Sequence, residues 1–147
     1  MSEQQVLFPP HEEAVLYFDG GSRGNPGPAG YGYVLERPDG ETLASEGQAI
    51  GIATNNVAEY RGIIAGMRRA TELGIRHLRA FGDSKLVIEQ VKGKWRVRAE
   101  GLRALHLEAS ELARAFDSVT FEHVRRAGNV EADRLANVAM DEAAGRP

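Results

Sequence analysis

The sequence predicts an α/β fold in which one mixed five-stranded sheet is flanked by helices. Three strand-like segments come first, at residues 13–19, 31–37 and 42–50, and an Asp-Gly turn at 38–41 joins the last two. Helical and strand patterns then alternate to the end of the chain, which is typical of parallel strands connected by helices. The predicted sheet therefore combines a three-strand antiparallel meander with parallel strands.

The first strand is an apolar run, residues 15–18, that ends on the carboxylate Asp19. The glycine-dense segment 20–27 follows, and its composition predicts a turn. A charge at the end of a buried strand requires water, a cation or a hydrogen-bond donor. Glycines beside it would let a polymer backbone approach the main chain closely. Asp19 is therefore the first candidate functional residue.

Four helices are predicted from apolar residues at helical spacing. The first begins at Asn55 and ends near Leu73, where Gly74 is a natural stop. The second covers about 84–91, and the basic segment 92–101 after it is expected to be a loop. The other elements are a strand at 77–81, a helix marked by Leu102, Leu105, Leu112 and Phe116, a strand at 119–124, and a helix after Asn129 with Leu135, Val138 and Ala139 on one face.

The composition indicates one domain. The chain has 147 residues, of which 42% are hydrophobic and 27% charged, and this length can bury a substantial core. We expect a flexible lead-in at 1–12, where two prolines adjoin, a domain at 13–143 and a short tail at 144–147.

Several classes of protein are excluded by what the sequence lacks. It has no cysteine, which excludes disulfides, thiol catalysis and cysteine-bound zinc. Its glycine-dense segment lacks the Gly-Lys-Ser/Thr ending of a P-loop, which excludes a GTPase or ATPase of that type. No apolar stretch approaches the roughly 18 residues of a membrane span, and no secretory signal pattern is present. We therefore expect a cytoplasmic monomer with no membrane contact and no obligate protein partner.

Positive charge is concentrated in one segment, although the formal net charge of the chain is −3. Over residues 85–103, six cations accompany only two acids, Glu89 and Glu100. The cations are Lys85, Lys92, Lys94, Arg96, Arg98 and Arg103. Such a segment is either a solvated face or a surface that binds a phosphate backbone. Trp95, the sole tryptophan, lies among them and could stack on a sugar or base, or pack against the protein.

Three more acids occur near the ends of predicted elements: Glu59, Asp83 and Asp133. Each of the four acids has a structural explanation when it is taken singly. Asp19 could shape a turn, and Glu59 could complete a capping box with Asn56. Asp83 or Ser84 could be an ordinary N-cap of a helix, and Asp133 could interact favourably with a helix dipole.

Taken together, the four acids favour a metal site. Asp19 and Asp83 both follow strands whose ends can adjoin in one sheet, where ligands of α/β proteins bind. Helices that begin near Asn56 and Asn129 could bring the other two acids to the same place. Carboxylate oxygens suit Mg²⁺ or Mn²⁺, and such a site fits two-metal hydrolysis of a phosphodiester.

Five short motifs follow one another along the chain. They are Asp19-Gly20, Gly24-Asn25-Pro26-Gly27, Thr54-Asn55-Asn56-Val57-Ala58-Glu59, Gly82-Asp83-Ser84 and Glu131-Ala132-Asp133-Arg134-Leu135-Ala136. In these motifs and in their order the chain resembles type 1 ribonuclease H, also called ribonuclease HI. The resemblance covers about residues 13–143 and implies a ribonuclease H-like fold.

The resemblance also implies an activity and a cofactor. Members of the family are endoribonucleases that hydrolyse the RNA strand of RNA–DNA hybrids and leave 5′-phosphate and 3′-hydroxyl ends. Two Mg²⁺ or Mn²⁺ ions per active site are implied, with Asp19 bridging them. Glu59 and Asp83 would complete the ion on the leaving-group side, and Asp133 the ion on the side of the nucleophilic water.

A surface that binds the hybrid is implied around these acids. Thr54 resembles part of a pocket for a DNA-strand phosphate, and Glu59 would also contact a ribose 2′-hydroxyl. The substrate-binding candidates are Gly20, Ser22, Arg23, Asn25, Thr54, Asn55, Asn56, Lys92, Lys94, Trp95, Arg96 and Arg98. For the polar residues among them, turn chemistry and capping are the alternative explanation.

The sequence departs from the family pattern in two places. The loop before the last acid, residues 125–129, lacks the histidine that many relatives carry, and Arg126 is the candidate auxiliary cation there. The long basic protrusion of some relatives is replaced by residues 91–98, as in compact members. Two alternatives remain on the same architecture: a catalytically weak hybrid-binding module, and another nuclease or transferase with differently spaced acids, such as a DEDD-type exonuclease or an integrase-like enzyme.

Overall fold

The computed structural model describes residues 9–146, which form five strands, four α-helices and two 3₁₀ turns. The strands are β1 (Glu13–Ser22), β2 (Gly27–Glu36), β3 (Thr42–Ala53), β4 (His77–Gly82) and β5 (Ser118–His123). The helices are α1 (Asn55–Glu72), α2 (Lys85–Val91), α3 (Glu100–Arg114) and α4 (Val130–Ala143), and the 3₁₀ turns cover Pro10–Glu12 and Arg126–Gly128. The order of strands and α-helices is the predicted one.

The strands form a single mixed sheet in the order β3-β2-β1-β4-β5. β2 is antiparallel to both β1 and β3, whereas β4 is parallel to both β1 and β5, which confirms the predicted fold class. The parallel pairing of β1 with β4 ends at Phe18 and Gly82. Asp19 and Asp83 are the next residues of the two segments, so they lie side by side at one edge of this pairing.

Half of the glycine-dense segment at 20–27, which was predicted to be a turn, belongs to strands. β1 continues through Ser22 and β2 begins at Gly27, so residues 23–26 alone connect them. A Cβ at Gly20 would lie 2.3 Å from the carbonyl carbon of Ala58 in α1. Glycine is therefore required here because a helix packs closely on the strand. In the sequence, glycines needed for such packing cannot be told from glycines that form a turn.

α1 and α2 pack on one face of the sheet, and α3 packs on these two helices, so that together they enclose the main core. Large side chains from the sheet, α1 and α2 are completely or almost completely buried there, namely Leu16, Phe18, Leu35, Tyr60, Ile63, Met67, Leu78 and Ile88. Burial of such side chains is the main favourable contribution to folding. The functional consequence is that α1, which carries Glu59, is fixed rigidly against β1.

α4 packs on the opposite face, directly against β2. A Cβ at Gly32 would lie 2.6 Å from the Cβ of Leu135, so the helix and the strand are in unusually close contact. The buried face of α4 consists mainly of small residues, Ala132, Ala136 and Ala139. The predicted apolar face was therefore wrong at Val138, whose side chain is 56% exposed.

The ends of the described chain continue the neighbouring elements. Most of the predicted lead-in at 1–12 lies outside the described residues, and Pro10–Glu12 form the 3₁₀ turn before β1. After α4, the main-chain N–H of Arg146 donates to the carbonyl of Asp141 at 2.8 Å. The division into lead-in, domain and tail stays a prediction. Within residues 9–146, no helix is both long and apolar enough to cross a bilayer.

Candidate active site

Three carboxylates converge where the pairing of β1 with β4 ends. Asp19, Glu59 and Asp83 each contribute an oxygen, and these oxygens all lie within 4.8 Å of one another. Asp133 lines the same pocket, which has a volume of about 360 Å³. The structure therefore brings together all four acids that the sequence suggested.

Glu59 reaches this pocket because it is not needed to cap its own helix. The N-cap of α1 is Thr54, whose Oγ1 accepts a hydrogen bond from the main-chain N–H of Val57 at 3.2 Å. Glu59 Oε1 instead accepts the main-chain N–H of Gly20 at 2.8 Å. The capping-box explanation of Glu59 is therefore wrong, and the residue joins α1 to β1 beside Asp19.

Asp83 is also free of a capping role. Ser84 caps α2, with its Oγ accepting the main-chain N–H of Val87 at 3.3 Å. The main-chain carbonyl of Asp83 accepts a hydrogen bond from His123 Nε2 at 3.2 Å, which ties this turn to the end of β5. The side chain can therefore face the pocket without losing a structural hydrogen bond.

Asp133 approaches Asp19 from the opposite face of the sheet. It lies in the first turn of α4, where its main-chain N–H donates to the carbonyl of Asn129 at 3.0 Å. Its carboxyl group interacts directly with that of Asp19 and raises the pKa of Asp19. Asp19 thus lies between Glu59 and Asp83 on one side and Asp133 on the other.

Burial and mutual repulsion change the acidity of the two most enclosed carboxyl groups. Burial is the largest cause that raises the pKa of Asp19, to about 7, and the nearby carboxylates of Asp133 and Asp83 add to it. Hydrogen bonds from Glu59 and the Gly20 N–H oppose this shift. The pKa of Glu59 is raised well above its usual value, first by burial and then by its contact with Asp19.

The oxygen atoms of this cluster fit a divalent metal ion. Among the described residues, Glu59 Oε2 and Asp83 Oδ2 are buried and have no hydrogen-bond partner. Buried carboxylate oxygens without a partner are costly, and several like charges repel one another. Mg²⁺, Mn²⁺ and Ca²⁺ all prefer oxygen ligands, so a cation of this class would both pair with the oxygens and offset the repulsion.

Comparison with known proteins gives relatives that span this fold. Residues 17–139 match a family described as reverse transcriptase-like. The N-terminal RNase H domain of Rv2228c from Mycobacterium tuberculosis is 53% identical, with a TM-score of 0.89 over 90% of this chain and 96% of that one. RNase H1 from Halobacterium salinarum is 45% identical, with a TM-score of 0.85 over 88% of this chain and 98% of that one. LC11-RNase H1, solved in complex with an RNA/DNA hybrid, is 33% identical. Its TM-score is 0.84 over 89% of this chain and 99% of that one.

The chain belongs to the type 1 ribonuclease H family. The predicted family resemblance is thereby confirmed. Some relatives are considerably longer proteins: the chain spans 36% of the length of the bifunctional protein Rv2228c and 64% of the length of ribonuclease HI from Halobacterium salinarum.

The ribonuclease H motif residues between β1 and α1 form one hydrogen-bonded cluster. Asn55 Oδ1 accepts the main-chain N–H of Ser22 at 2.8 Å and its hydroxyl at 3.1 Å. Asn25 Oδ1 accepts the main-chain N–H of Asn55 at 3.0 Å. The substrate candidates that line the acidic pocket are Gly20, Ser22, Arg23, Asn55 and Asn56. Asn25 and Thr54 support this wall through hydrogen bonds and do not line the pocket.

Arg23 has its guanidinium group bound to α4. Its Nε donates to Asp141 Oδ1 and its Nη1 to Asn137 Oδ1, both at 3.0 Å. The residue therefore anchors the β1–β2 turn on the helix that carries Asp133. This role explains its place at the pocket wall without requiring a contact to substrate.

The basic loop, residues 92–99, borders a second pocket of about 480 Å³. Asn56 lines this pocket as well as the acidic one, so the two adjoin along one groove. The loop residues in its wall are Lys94, Trp95, Arg96, Arg98 and Ala99. Lys92 does not line it and pairs with Glu89 at 3.7 Å. Trp95 is 43% exposed.

Arg126 lies at the rim of the acidic pocket. Its side chain is 79% exposed, and its Nε is 3.7 Å from Asp83 Oδ2, which is an ion pair beyond hydrogen-bonding distance. The predicted auxiliary cation is therefore beside the acids and still accessible to a ligand.

Three amide side chains near the groove were missed by the sequence analysis: Asn129, Asn137 and Gln90. Asn129 is buried and its Nδ2 donates to the carbonyl of Phe18 at 2.8 Å, one residue before Asp19. Asn137 lines the acidic pocket. Of the three, Gln90 left the clearest signal in the sequence. It is a polar residue one helical turn after the buried Val87, at a position where an apolar residue is expected.

The raised carboxyl pKa values predict how the stability of the metal-free protein depends on pH. Between the ordinary carboxyl pKa near 4 and about 7, the folded state binds more protons than the unfolded state, so stability is lost as pH rises. We expect Asp19→Asn to be more stable than wild type at pH 8 by about 1–3 kcal/mol, and the two to converge at pH 4. Thermal melts in EDTA at both pH values measure this.

The matched control is Asp39→Asn, which removes a negative charge from the exposed β2–β3 turn. It should leave the pH dependence of the melting temperature as in wild type. Adding Mg²⁺ at pH 8 should raise the melting temperature of wild type and of Asp39→Asn more than that of Asp19→Asn. Parallel pH profiles for wild type and Asp19→Asn would contradict the assigned repulsion.

Proposed function

We propose that this chain is an endoribonuclease that hydrolyses the RNA strand of RNA–DNA hybrids, leaving 5′-phosphate and 3′-hydroxyl ends. The observation that carries the proposal is the convergence of Asp19, Glu59 and Asp83, with two buried oxygens left without hydrogen-bond partners. The relative LC11-RNase H1, solved with an RNA/DNA hybrid, supports the choice of substrate. Mg²⁺ or Mn²⁺ is the proposed cofactor, with two ions per active site.

The other three acids form two groups around Asp19. Asp19 adjoins both groups, so its carboxylate is suited to contribute an oxygen to each of two ions. Glu59 and Asp83 would hold the ion on the leaving-group side, and Asp133 the other. When bound, such a pair of ions supplies the positive charge that stabilises the attacking and leaving oxygens of an in-line displacement.

The protein itself contributes a rigid framework for these groups. The Gly20 N–H holds Glu59 Oε1, and the Arg23 pairing with Asp141 holds the β1–β2 turn against α4. Because these contacts exist before substrate binds, little ordering is required at the moment of reaction. Glu59 is also the proposed contact of a ribose 2′-hydroxyl, which would select the RNA strand.

The groove from the acidic pocket to the basic loop is the proposed hybrid-binding surface. Asn56 joins the two pockets, and Lys94, Arg96 and Arg98 supply positive charge beyond it. Cations that pair with phosphates supply affinity that does not depend on base sequence. The monomeric state and the cytoplasmic location stay predictions from the sequence.

The first test is the removal of the central acid. Asp19→Asn should lower the rate of hybrid cleavage in Mg²⁺ by more than about 10³-fold, because stabilisation of charge in the transition state is among the largest rate contributions. A gel assay with labelled RNA–DNA hybrid, RNA duplex and DNA duplex, in Mg²⁺, Mn²⁺ or EDTA, measures both rate and substrate choice. Asp39→Asn is the matched control and should cleave as wild type does. Near-normal cleavage by Asp19→Asn would refute the assignment.

The basic loop is tested by a triple variant, Lys94→Ala, Arg96→Ala and Arg98→Ala. We expect KM to rise more than kcat falls, because cations that bind the backbone act in both the ground state and the transition state. The slope of log affinity against log salt should become shallower by up to about 3, one for each phosphate that the variant no longer neutralises. The control replaces Arg69, Arg79 and Arg114, three exposed cations outside the groove, by alanine. Equal salt slopes for wild type and the loop variant would show that the loop is a solvated face and does not bind the phosphate backbone.

Arg126 is expected to assist turnover without being essential. A guanidinium group has five N–H donors and no acceptor, so Arg126 is suited to bind a phosphate and not to act as a proton shuttle. Arg126→Ala should therefore lower kcat by about twofold to fivefold, the effect typical of an exposed charge contact. Arg125→Ala, at a neighbouring position that does not line the pocket, is the control. If Arg126→Ala were folded and as inactive as Asp19→Asn, the auxiliary role would be wrong.

A further inference from the structure

The basic loop is fastened unevenly to the rest of the fold. Its first half is closed by main-chain hydrogen bonds, since the N–H groups of Lys94 and Trp95 both donate to the carbonyl of Glu89, at 2.9 and 3.1 Å. Its second half has no such closure: within residues 9–146, a single hydrogen bond reaches the main chain of residues 96–98. That bond comes from Gln90, whose Nε2 donates to the carbonyl of Arg96 at 3.4 Å.

The side chain of Gln90 is bonded at both ends of its amide. It is 3% exposed, and its Oε1 accepts the hydroxyl of Tyr60 at 2.6 Å. The carbonyl of Arg96 can only accept, so it fixes the amide with Nε2 toward the loop and Oε1 toward α1. A buried amide held in this way has one favourable orientation, because a flip would place its Oε1 against the carbonyl oxygen of Arg96, and both atoms are acceptors.

The main chain of Gln90 extends this junction to α3. Its carbonyl accepts the N–H of Gly93 at 3.0 Å and Nε2 of His106 at 3.0 Å. The ring of His106 also meets the ring of Tyr60 edge-on, with centroids 6.4 Å apart. One residue of α2 therefore joins α1, the basic loop and α3.

The partner on α1 is the neighbour of a proposed metal ligand. Tyr60 is completely buried and directly follows Glu59, whose carboxylate lies among the acids. Gln90 also lines the wall of the loop pocket beside Arg96. The path from Glu59 to Arg96 thus consists of one peptide bond and two hydrogen bonds.

We propose that Gln90 is a positioning residue for substrate binding: it holds the basic loop at a fixed distance from the acids, through Tyr60 of α1. This proposal rests on the proposed function. A hybrid that contacts both the acids and the loop gains affinity only when the two are correctly spaced before binding. Loss of the amide would therefore weaken binding by loosening the loop, while the acids keep their geometry.

The experiment compares Gln90→Met, which keeps the side-chain length but removes both amide bonds, with Tyr60→Phe, which removes only the hydroxyl. Tyr33→Phe is the control, because it removes the hydroxyl of another largely buried tyrosine, which lines a different pocket on the other side of α1, away from the loop. The loop is monitored without substrate, by acrylamide quenching of Trp95, the sole tryptophan. Quenching should increase in Gln90→Met and Tyr60→Phe and remain unchanged in Tyr33→Phe.

Steady-state cleavage of a labelled hybrid gives the second readout. KM should rise by about threefold to tenfold in Tyr60→Phe, the change expected when one neutral hydrogen bond is removed, and by at least as much in Gln90→Met, which loses two. In both variants kcat should change by less than about twofold. Unchanged quenching, an unchanged KM, or a fall in kcat at constant KM would each overturn the proposal. If Gln90→Met does not fold, Tyr60→Phe decides alone. If wild type fails to cleave the hybrid, the proposed function fails, and quenching still reports whether Gln90 holds the loop.

Discussion

The structure depends on holding several carboxyl groups together in a buried place where they repel one another. Carboxylate oxygens of Asp19, Glu59 and Asp83 lie within 4.8 Å of one another, and Asp133 contacts Asp19 from the other face of the sheet. Such a cluster would relax apart on a flexible scaffold, because the removal of water strengthens the repulsion. The surrounding elements therefore must be stiff. The clustered carboxylates lower the stability of the metal-free protein. The same clustering provides the oxygen ligands that a divalent cation requires.

Stiffness is obtained by bringing helices into direct contact with the sheet. Gly20 lets the main chain of α1 approach β1, and Gly32 lets α4 approach β2 from the opposite side. Each close contact places one acid: α1 carries Glu59, and α4 carries Asp133. Polar bonds then fix the remaining freedom, with the Gly20 N–H on Glu59 and the amide of Asn129 on the carbonyl before Asp19. Glycine in this sheet is thus a requirement of the site.

The sequence was sufficient for the element order, the sheet class and the four acids, because strands, helices and short motifs leave local signals. It was insufficient where one pattern has two physical causes. The glycines after Asp19 have the composition of a turn, yet they mark helix packing in a strand that continues to Ser22. Glu59 has the spacing of a capping box, yet Thr54 caps the helix. Helix packing decided the first case, and the cap from Thr54 together with the long-range bond from the Gly20 N–H to Glu59 decided the second. The polar Gln90 in a buried position leaves a local signal, but its partner Tyr60 is 30 residues away, so its role was missed.

The acids proposed for catalysis and the loop proposed for substrate binding are attached to the fold in different ways. The acids are held by β1, β4, α1 and α4, whose contacts are mostly within the packed core. The basic loop lies outside that core, and in its second half the half-buried Val97 and the bond from Gln90 attach it to the rest of the protein. A relative can therefore lengthen or shorten this segment without disturbing the acids, provided that some contact restores the spacing between them. A short loop attached by Val97 and one buried amide would be one such solution. The role proposed for Gln90 would then make substrate affinity sensitive to a residue outside the acidic cluster.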